Sequence, residues 1–240
     1  MTEKAPAILF DIDGTLVDSN YLHVAAWSRA FAELDVPVDS WRIHAGIGMD
    51  SSKLLDDLLG DRGSSNESPS DRSSSSASKD GLEDKAKKLH TKYYTKAADE
   101  LRAFDGAREL VKAIADRGYQ VVLATSAPED ELKMLRKTLK IEDDIAIVTS
   151  DSDVEQAKPA PDIVGVALER AGVSADRAIM VGDSVWDVKG AGAAGVRCIG
   201  FRSGGTSGPT LTDAGAIEIW DGPADLLAHL DESAISELRP

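Results

Sequence analysis

Apolar and polar positions along this chain fall into blocks of two kinds. Short, nearly continuous apolar runs recur at Ala7 to Phe10, Gln120 to Ala124, Ala178 to Val181 and Val196 to Phe201. Runs this short and this uniform predict strands buried on both faces. Ile145 to Val148 and Ile217 to Trp220 predict two more. Between the runs the period changes. Ala107, Leu110, Val111, Ile114 and Ala115 stand at i, i+3, i+4, i+7 and i+8, one face of a helix that Gly118 closes. Strands alternating with helices predict the α/β class, with a mainly parallel sheet covered on both faces. In such sheets ligands bind outside the carboxyl ends of the strands, so the residues that end each strand matter most.

One stretch breaks the alternation. Leu22, Ala26, Ala30 and Leu34, with Trp27 and Phe31 beside them, make a helical stripe, and Ser51 to Leu59 and Leu82 to Ala98 read as further helices. The pattern predicts a helical subdomain over residues 18–101, inserted into a core of residues 1–17 and 102–240. Within it, residues 63–81 hold nine serines and no large apolar side chain. Such a segment buries too little surface to offset its ordering entropy, which predicts a disordered loop.

Composition narrows the function classes. With 240 residues there is room for one good-sized domain and a smaller insert. Cys198 is the only cysteine, so no internal disulfide is possible and a reducing, cytoplasmic setting is expected. Its place inside VRCIG reads as a small core residue. No stretch approaches the ~18 consecutive apolar residues of a membrane span. The opening MTEKAPAILF lacks the basic flank and longer apolar run of a secretory signal. A formal net charge of −15 argues against nucleic acid and anionic membranes as partners. A phosphorylated substrate would need local cations.

Four strand-end clusters carry the candidate chemistry. The first is Asp11-Ile12-Asp13-Gly14-Thr15. In an extended segment Asp11 and Asp13 point the same way, and two carboxylates so placed need a cation or a shared proton. An EF-hand loop does not fit, because glycine stands at the fourth position rather than the sixth. A turn role for both aspartates stays open. The second cluster is the strand ending in Thr125-Ser126, which could also simply cap a helix. The third is Lys158-Pro159-Ala160-Pro161-Asp162, with Asp162 placed to cap the next helix. The fourth is Gly182-Asp183-Ser184-Val185-Trp186-Asp187, where Asp183 or Ser184 could again be a cap.

Taken in this order, DIDGT, the strand-end Thr125, Lys158-Pro159 and GDSxxD resemble the four motifs of the haloacid dehalogenase superfamily, and the resemblance covers nearly the whole chain. It implies a Rossmann-like core with an inserted helical cap, as in the branch containing phosphoglycolate phosphatase and β-phosphoglucomutase. By that resemblance Asp11 is the nucleophile of an aspartyl-phosphate mechanism and Asp13 the general acid and base. Thr125 and Lys158 bind the phosphoryl group. Mg²⁺ is held by Asp11, the carbonyl of Asp13 and Asp183, with Asp187 reaching a bound water. The substrate is a small phosphorylated metabolite, phosphoglycolate-like or a sugar phosphate, which His23, Gly46 and Met49 of the cap would contact.

Other readings compete. A metal-free dehalogenase resembles chains that lack the second acidic residue, and Asp13 is present. A sugar phosphomutase shares the HxxAW pattern of His23 to Trp27, though that pattern also occurs in sugar phosphatases, and His23 fits an interface position equally well. In the sugar mutases an arginine follows the cap glycine by three positions, and here Met49 stands third after Gly46, with Arg42, His44 and Lys53 nearby as candidate replacement cations. A signalling receiver domain is about half this length and carries its phosphoacceptor on a middle strand. An inactive, binding-only relative has no support, because every chemical position is filled.

Overall fold

The computed structural model describes residues 4–60, 72–149 and 163–239. The chain forms two compact units, Met1–Ser19 with Leu101–Pro240, and Asn20–Glu100.

In the first unit, β1 (Ala7–Phe10) is followed by β2 (Val17–Asp18), and past Asn20–Glu100 the chain re-enters at β3 (Arg102–Ala103). β2 and β3 pair antiparallel, Val17 with Ala103 and Asp18 with Arg102, and so tie the departing and returning strands together. Both are two residues long, too short to leave an apolar pattern. The main sheet is completed by β4 (Gln120–Ala124), β5 (Ile147–Thr149), β6 (Ala178–Gly182), β7 (Arg197–Phe201) and β8 (Glu218–Trp220). Its order is β5-β4-β1-β6-β7-β8, parallel throughout. The six expected strands are all present, with ends shifted by at most two residues.

Period-two alternation divides each strand between two cores. Ile8, Phe10, Val121, Leu123, Ile179 and Val181 face one, closed by α5 (Ala107–Asp116), α6 (Glu129–Leu139) and α10 (Pro223–Ala228). Ala7, Leu9, Val122, Ala124, Met180 and Cys198 face the other, under α7 (Ile163–Ala171), α8 (Val185–Ala193) and α9 (Gly208–Ala214). Burial on both faces is why the strands read as continuous apolar runs. Cys198 is a core residue whose thiol burial pushes up. β1 lies between β4 and β6, where the strand order reverses, and this is where a crevice opens at the carboxyl edge of such sheets.

The second unit holds α1 (Asn20–Glu33), α2 (Ser40–Gly46), α3 (Ser51–Gly60) and α4 (Arg72–Lys96). The buried face of α1 includes Ala26, Ala30, Trp27 and Phe31 of the expected stripe together with His23 and Val24, whereas Leu22 and Leu34 at its ends are only partly buried. α2 left no periodic signal because only Ile43 and Gly46 are buried and Trp41 stands 71% exposed. α4 starts at Arg72, well before the expected Leu82. The helix therefore takes in residues 72–81 of the expected disordered loop, whose earlier part falls largely outside the described residues. No proline interrupts 72–96, and a helix nucleated by packing propagates at little cost per residue. Ala86, His90 and Tyr94 recur every fourth residue and face α1. The rings of His23 and Tyr94 stack 4.0 Å apart, those of Trp27 and His90 4.2 Å apart. His23 Nδ1 lies 3.0 Å from His90 Nε2, so one ring donates to the other. Burial first, then the neighbouring His23, lowers the His90 pKa to about 2 and keeps it neutral.

The sheet should respond to truncation as a packed core does. Leu9 is fully buried at its centre. Leu9→Ala should cost about 2–5 kcal/mol in urea denaturation of the sheet unit, and a loss well under 1 kcal/mol would mean that the layer relaxes around the hole.

Candidate active site

Three carboxylates converge beyond β1 and β6. Asp11, Asp183 and Asp187 each offer an oxygen, and these oxygens lie within 4.8 Å of one another. Each is set by the element behind it. Asp11 follows β1 directly, and its amide donates to the Val181 carbonyl at 3.0 Å, the last rung between β1 and β6. Asp183 follows β6, is 2% exposed, and its Oδ1 accepts from the Thr15 hydroxyl at 2.8 Å.

Asp187 is held through the start of α8. Ser184 is the N-cap, and its hydroxyl oxygen accepts from the amides of Trp186 and Asp187. In return Asp187 Oδ2 accepts from the Ser184 amide at 3.0 Å and its hydroxyl at 2.7 Å, completing a capping box. Gly182 allows the close approach. A Cβ there would stand 2.4 Å from the Asp187 Cβ and 2.7 Å from its Oδ2.

Asp13 sits differently from a simple extended continuation of β1. The strand ends at Phe10, and the Ile12 carbonyl gathers the amides of Thr15, Leu16 and Val17 while Gly14 turns at φ +72°. The carboxylate of Asp13 leaves the cluster formed by the other three and accepts from the buried Ser19 hydroxyl at 2.5 Å. At the end of β4, Thr125 is 2% exposed and its Oγ1 accepts from the Ala127 amide at 3.1 Å.

A family model described as haloacid dehalogenase-like hydrolase matches residues 8–201, which takes in every one of these aspartates. The chain belongs to that family. Among curated relatives, the phosphoglycolate phosphatase of Rhodospirillum rubrum is 30% identical, covering 92% of this chain and 88% of its own. A phosphorylated carbohydrates phosphatase of Thermotoga maritima is 26% identical over 94% of this chain and 98% of its own. A crystal structure of a hydrolase from Pseudomonas syringae superposes with a TM-score of 0.82 at 30% identity, covering 97% of this chain and all of that one.

The electrostatics of this haloacid dehalogenase-like hydrolase follow from the crowding. Burial, then Asp187, Asp183 and Asp13 in turn, hold the Asp11 carboxyl well above the usual carboxylate range. Burial also raises Asp187, against the hydrogen bonds of Ser184. Two unit charges this close repel by roughly 3 kcal/mol at an effective dielectric near 20. Three such pairs together approach the whole net stability of a domain. The cluster therefore needs positive charge or protons. Its donors are all carboxylate oxygens, with no histidine or cysteine among them, so they suit a hard divalent cation such as Mg²⁺.

Of the residues expected from sequence, Asp11 and Asp183 come together and Asp187 joins the same cluster. Lys158 lies outside the described residues. His23 and Gly46 are buried within the second unit, and Met49 packs on its apolar cluster. A Cβ on Gly46 would stand 2.4 Å from the Leu54 side chain, so packing alone accounts for that glycine. Sequence reasoning assigned nothing to Thr15 or Ser19. Both stand within or just after the DIDGT segment, and a hydroxyl next to an acidic turn was the signal available.

The raised Asp11 carboxyl fixes a sign for stability against pH. A carboxyl raised in the folded state adds stability below its ordinary range near pH 4, and that stability is lost as pH rises through the folded value. With a chelator present, Asp11→Asn should therefore melt higher than the unsubstituted protein at pH 8. The gap should close as pH falls toward 4, and thermal melts across this range check both halves of the expectation.

Proposed function

We propose that this hydrolase is a Mg²⁺-dependent phosphatase that cleaves a small phosphorylated metabolite, phosphoglycolate-like or a sugar phosphate, through an aspartyl-phosphate on Asp11. The observation that carries the reading is the convergence of Asp11, Asp183 and Asp187 at the point where the strand order reverses. The named activities of the R. rubrum and T. maritima relatives support the substrate class.

In this reading a carboxylate oxygen of Asp11 attacks phosphorus as the ester oxygen departs. Asp13 gives the departing oxygen a proton and then takes one from the water that attacks the aspartyl-phosphate, which releases inorganic phosphate and restores both residues. The hydrogen bond from Ser19 suits that double role, since it orients the Asp13 carboxylate. Thr125 accepts from Ala127 with its oxygen, so its hydroxyl proton can donate to a phosphoryl oxygen. Lys158, by its place in the motif, offsets charge between the phosphate and Asp11. Asp11, Asp183 and Asp187, with the carbonyl of Asp13, would hold Mg²⁺. When bound, it supplies the positive charge that lets these carboxylates and a phosphate dianion share one site. Met49, apolar and packed, does not itself hold a second phosphate, which favours hydrolysis over phosphoryl shuttling between sugar positions unless Arg42, His44 or Lys53 takes that part.

Asp11→Asn should abolish turnover of an aryl phosphate, since a carboxamide is a poor nucleophile, and a chelator should do the same to the unsubstituted enzyme. Turnover by the variant near the parent rate would sink the covalent mechanism. Incubation with β-glucose 1-phosphate and catalytic glucose 1,6-bisphosphate should release inorganic phosphate. Glucose 6-phosphate appearing much faster would reassign the chain as a mutase.

Lys158→Ala should lower kcat more than Thr125→Ala does. The lysine opposes a full charge, whereas the threonine gives one neutral hydrogen bond. Parallel steady-state kinetics compare them, and equal mild losses would take Lys158 out of the site.

A further inference from the structure

The turn that carries Asp13 is held from the loop after β7, two strands away in the sheet. Gly14 and Thr15 share a peptide unit. Its amide, on Thr15, donates to the Ile12 carbonyl at 3.3 Å. Its carbonyl, on Gly14, accepts from the Ser203 hydroxyl at 2.6 Å. The contact joins residues 189 positions apart, and Ser203 lies beyond residues 8–201, the segment matched by the family model.

Ser203 is itself anchored. The Arg202 amide donates to the Trp220 carbonyl at 3.0 Å, and the Arg202 guanidinium pairs with Asp221 at 2.6 Å. The Gly205 amide returns to the Arg202 carbonyl at 3.0 Å, closing a turn around Ser203. Gly222 lies close alongside, since a Cβ there would meet the Ser203 Cβ at 3.5 Å. The loop after β7 is thus pinned to the end of β8, and its serine reaches back to the turn after β1.

From that peptide unit the effect passes to the acidic cluster in one step. Thr15, whose amide belongs to the unit, donates its side-chain proton to Asp183 Oδ1 at 2.8 Å. On the other side Gly14 is joined to Asp13, whose carboxylate Ser19 holds. Rotation of the Gly14–Thr15 unit would move the Asp183 hydrogen bond and the Asp13 backbone together. Gly14 has no side chain to resist such a rotation and sits at φ +72°, a conformation glycine leaves easily. The Ser203 bond to the Gly14 carbonyl adds a side-chain restraint to the long Thr15–Ile12 amide bond.

We propose that Ser203 is a positioning residue of the active site, which locks the Gly14–Thr15 peptide and thereby sets Asp183 for the metal and Asp13 for proton transfer. The proposal rests on the phosphatase reading above for its consequences in turnover, but not for its consequences in the backbone. Partners hydrogen-bonded to a metal ligand typically change affinity or activity by roughly 10–100-fold when removed, and Ser203, one link further out, is expected at the low end.

The test compares Ser203→Ala and Ser203→Thr with the unsubstituted enzyme by three measurements. Ser203→Ala should weaken Mg²⁺ binding in calorimetric titration by roughly tenfold and lower kcat for an aryl phosphate by a similar factor, with KM little changed. In the metal-free protein its Thr15 to Val17 amides should exchange hydrogen faster. Ser203→Thr keeps the hydroxyl and should restore all three. An alanine variant with parent Mg²⁺ affinity, kcat and exchange rates overturns the proposal. So does a loss that only follows a fall in melting temperature and that threonine does not rescue. An unsubstituted enzyme that neither binds Mg²⁺ nor turns over defeats the phosphatase reading instead, and the exchange rates then still decide whether Ser203 restrains the turn.

Discussion

Three like charges within one small space are the constraint around which this site is built. Left to themselves, Asp11, Asp183 and Asp187 would swing apart or protonate, and the raised Asp11 carboxyl records that pressure. What keeps them together is backbone. The β1–β6 rung ends at Asp11, β6 delivers Asp183 two residues after its last buried apolar side chain, and the first turn of α8 presents Asp187. Two of the carboxylates are then oriented by hydroxyl donors, Asp183 by Thr15 and Asp187 by Ser184. Both of these donors are neutral. They orient the oxygens without supplying the positive charge that would compete with a cation.

The fold was legible wherever burial is complete. A strand covered on both faces has no room for polar residues, so β1, β4, β6 and β7 announced themselves by composition alone. Elements that bury little stayed hidden. The β2–β3 pair contributes two residues per strand, and α2 buries one apolar side chain while exposing Trp41. The start of α4 was misread for a related reason. Serine-rich sequence has no apolar face, yet continuing a helix already anchored by Ala86, His90 and Tyr94 asks little of each added residue.

The site divided along the same line. Residues that would touch a substrate or metal lie at strand ends and stand out as acidic breaks after apolar runs, so Asp11, Asp13, Asp183 and Asp187 could be named before any coordinates. The residues that hold them could not. Ser203 is one serine in a loop of small residues, and its contact with Gly14 arises only when β7 is laid two strands from β1. Gly182 is plain in the motif, but the reason for glycine is the 2.4 Å separation from Asp187 that any Cβ would violate. Chemistry is written locally along the chain, whereas support for it is written across the sheet.

The acidity of the whole chain bears on this division. A net charge of −15 works against an anionic substrate at long range, yet at physiological ionic strength charges further than about 8 Å are largely screened. Over shorter distances the balance is set by the cluster and whatever cation it holds. The same three carboxylates that would repel a phosphate in the metal-free protein become, once their charge is matched, the reason a phosphate can be drawn in. In the proposed mechanism acid would work against this twice, because protons would neutralise the groups that would hold the cation and also weaken Asp11 as a nucleophile. The raised Asp11 carboxyl brings that competition closer to neutral pH than free aspartate would allow. On the proposed reading cation affinity and nucleophilicity would in this way be tied to one group, so orientation of its neighbours by Thr15, Ser184 and the turn that Ser203 contacts would bear on both at once.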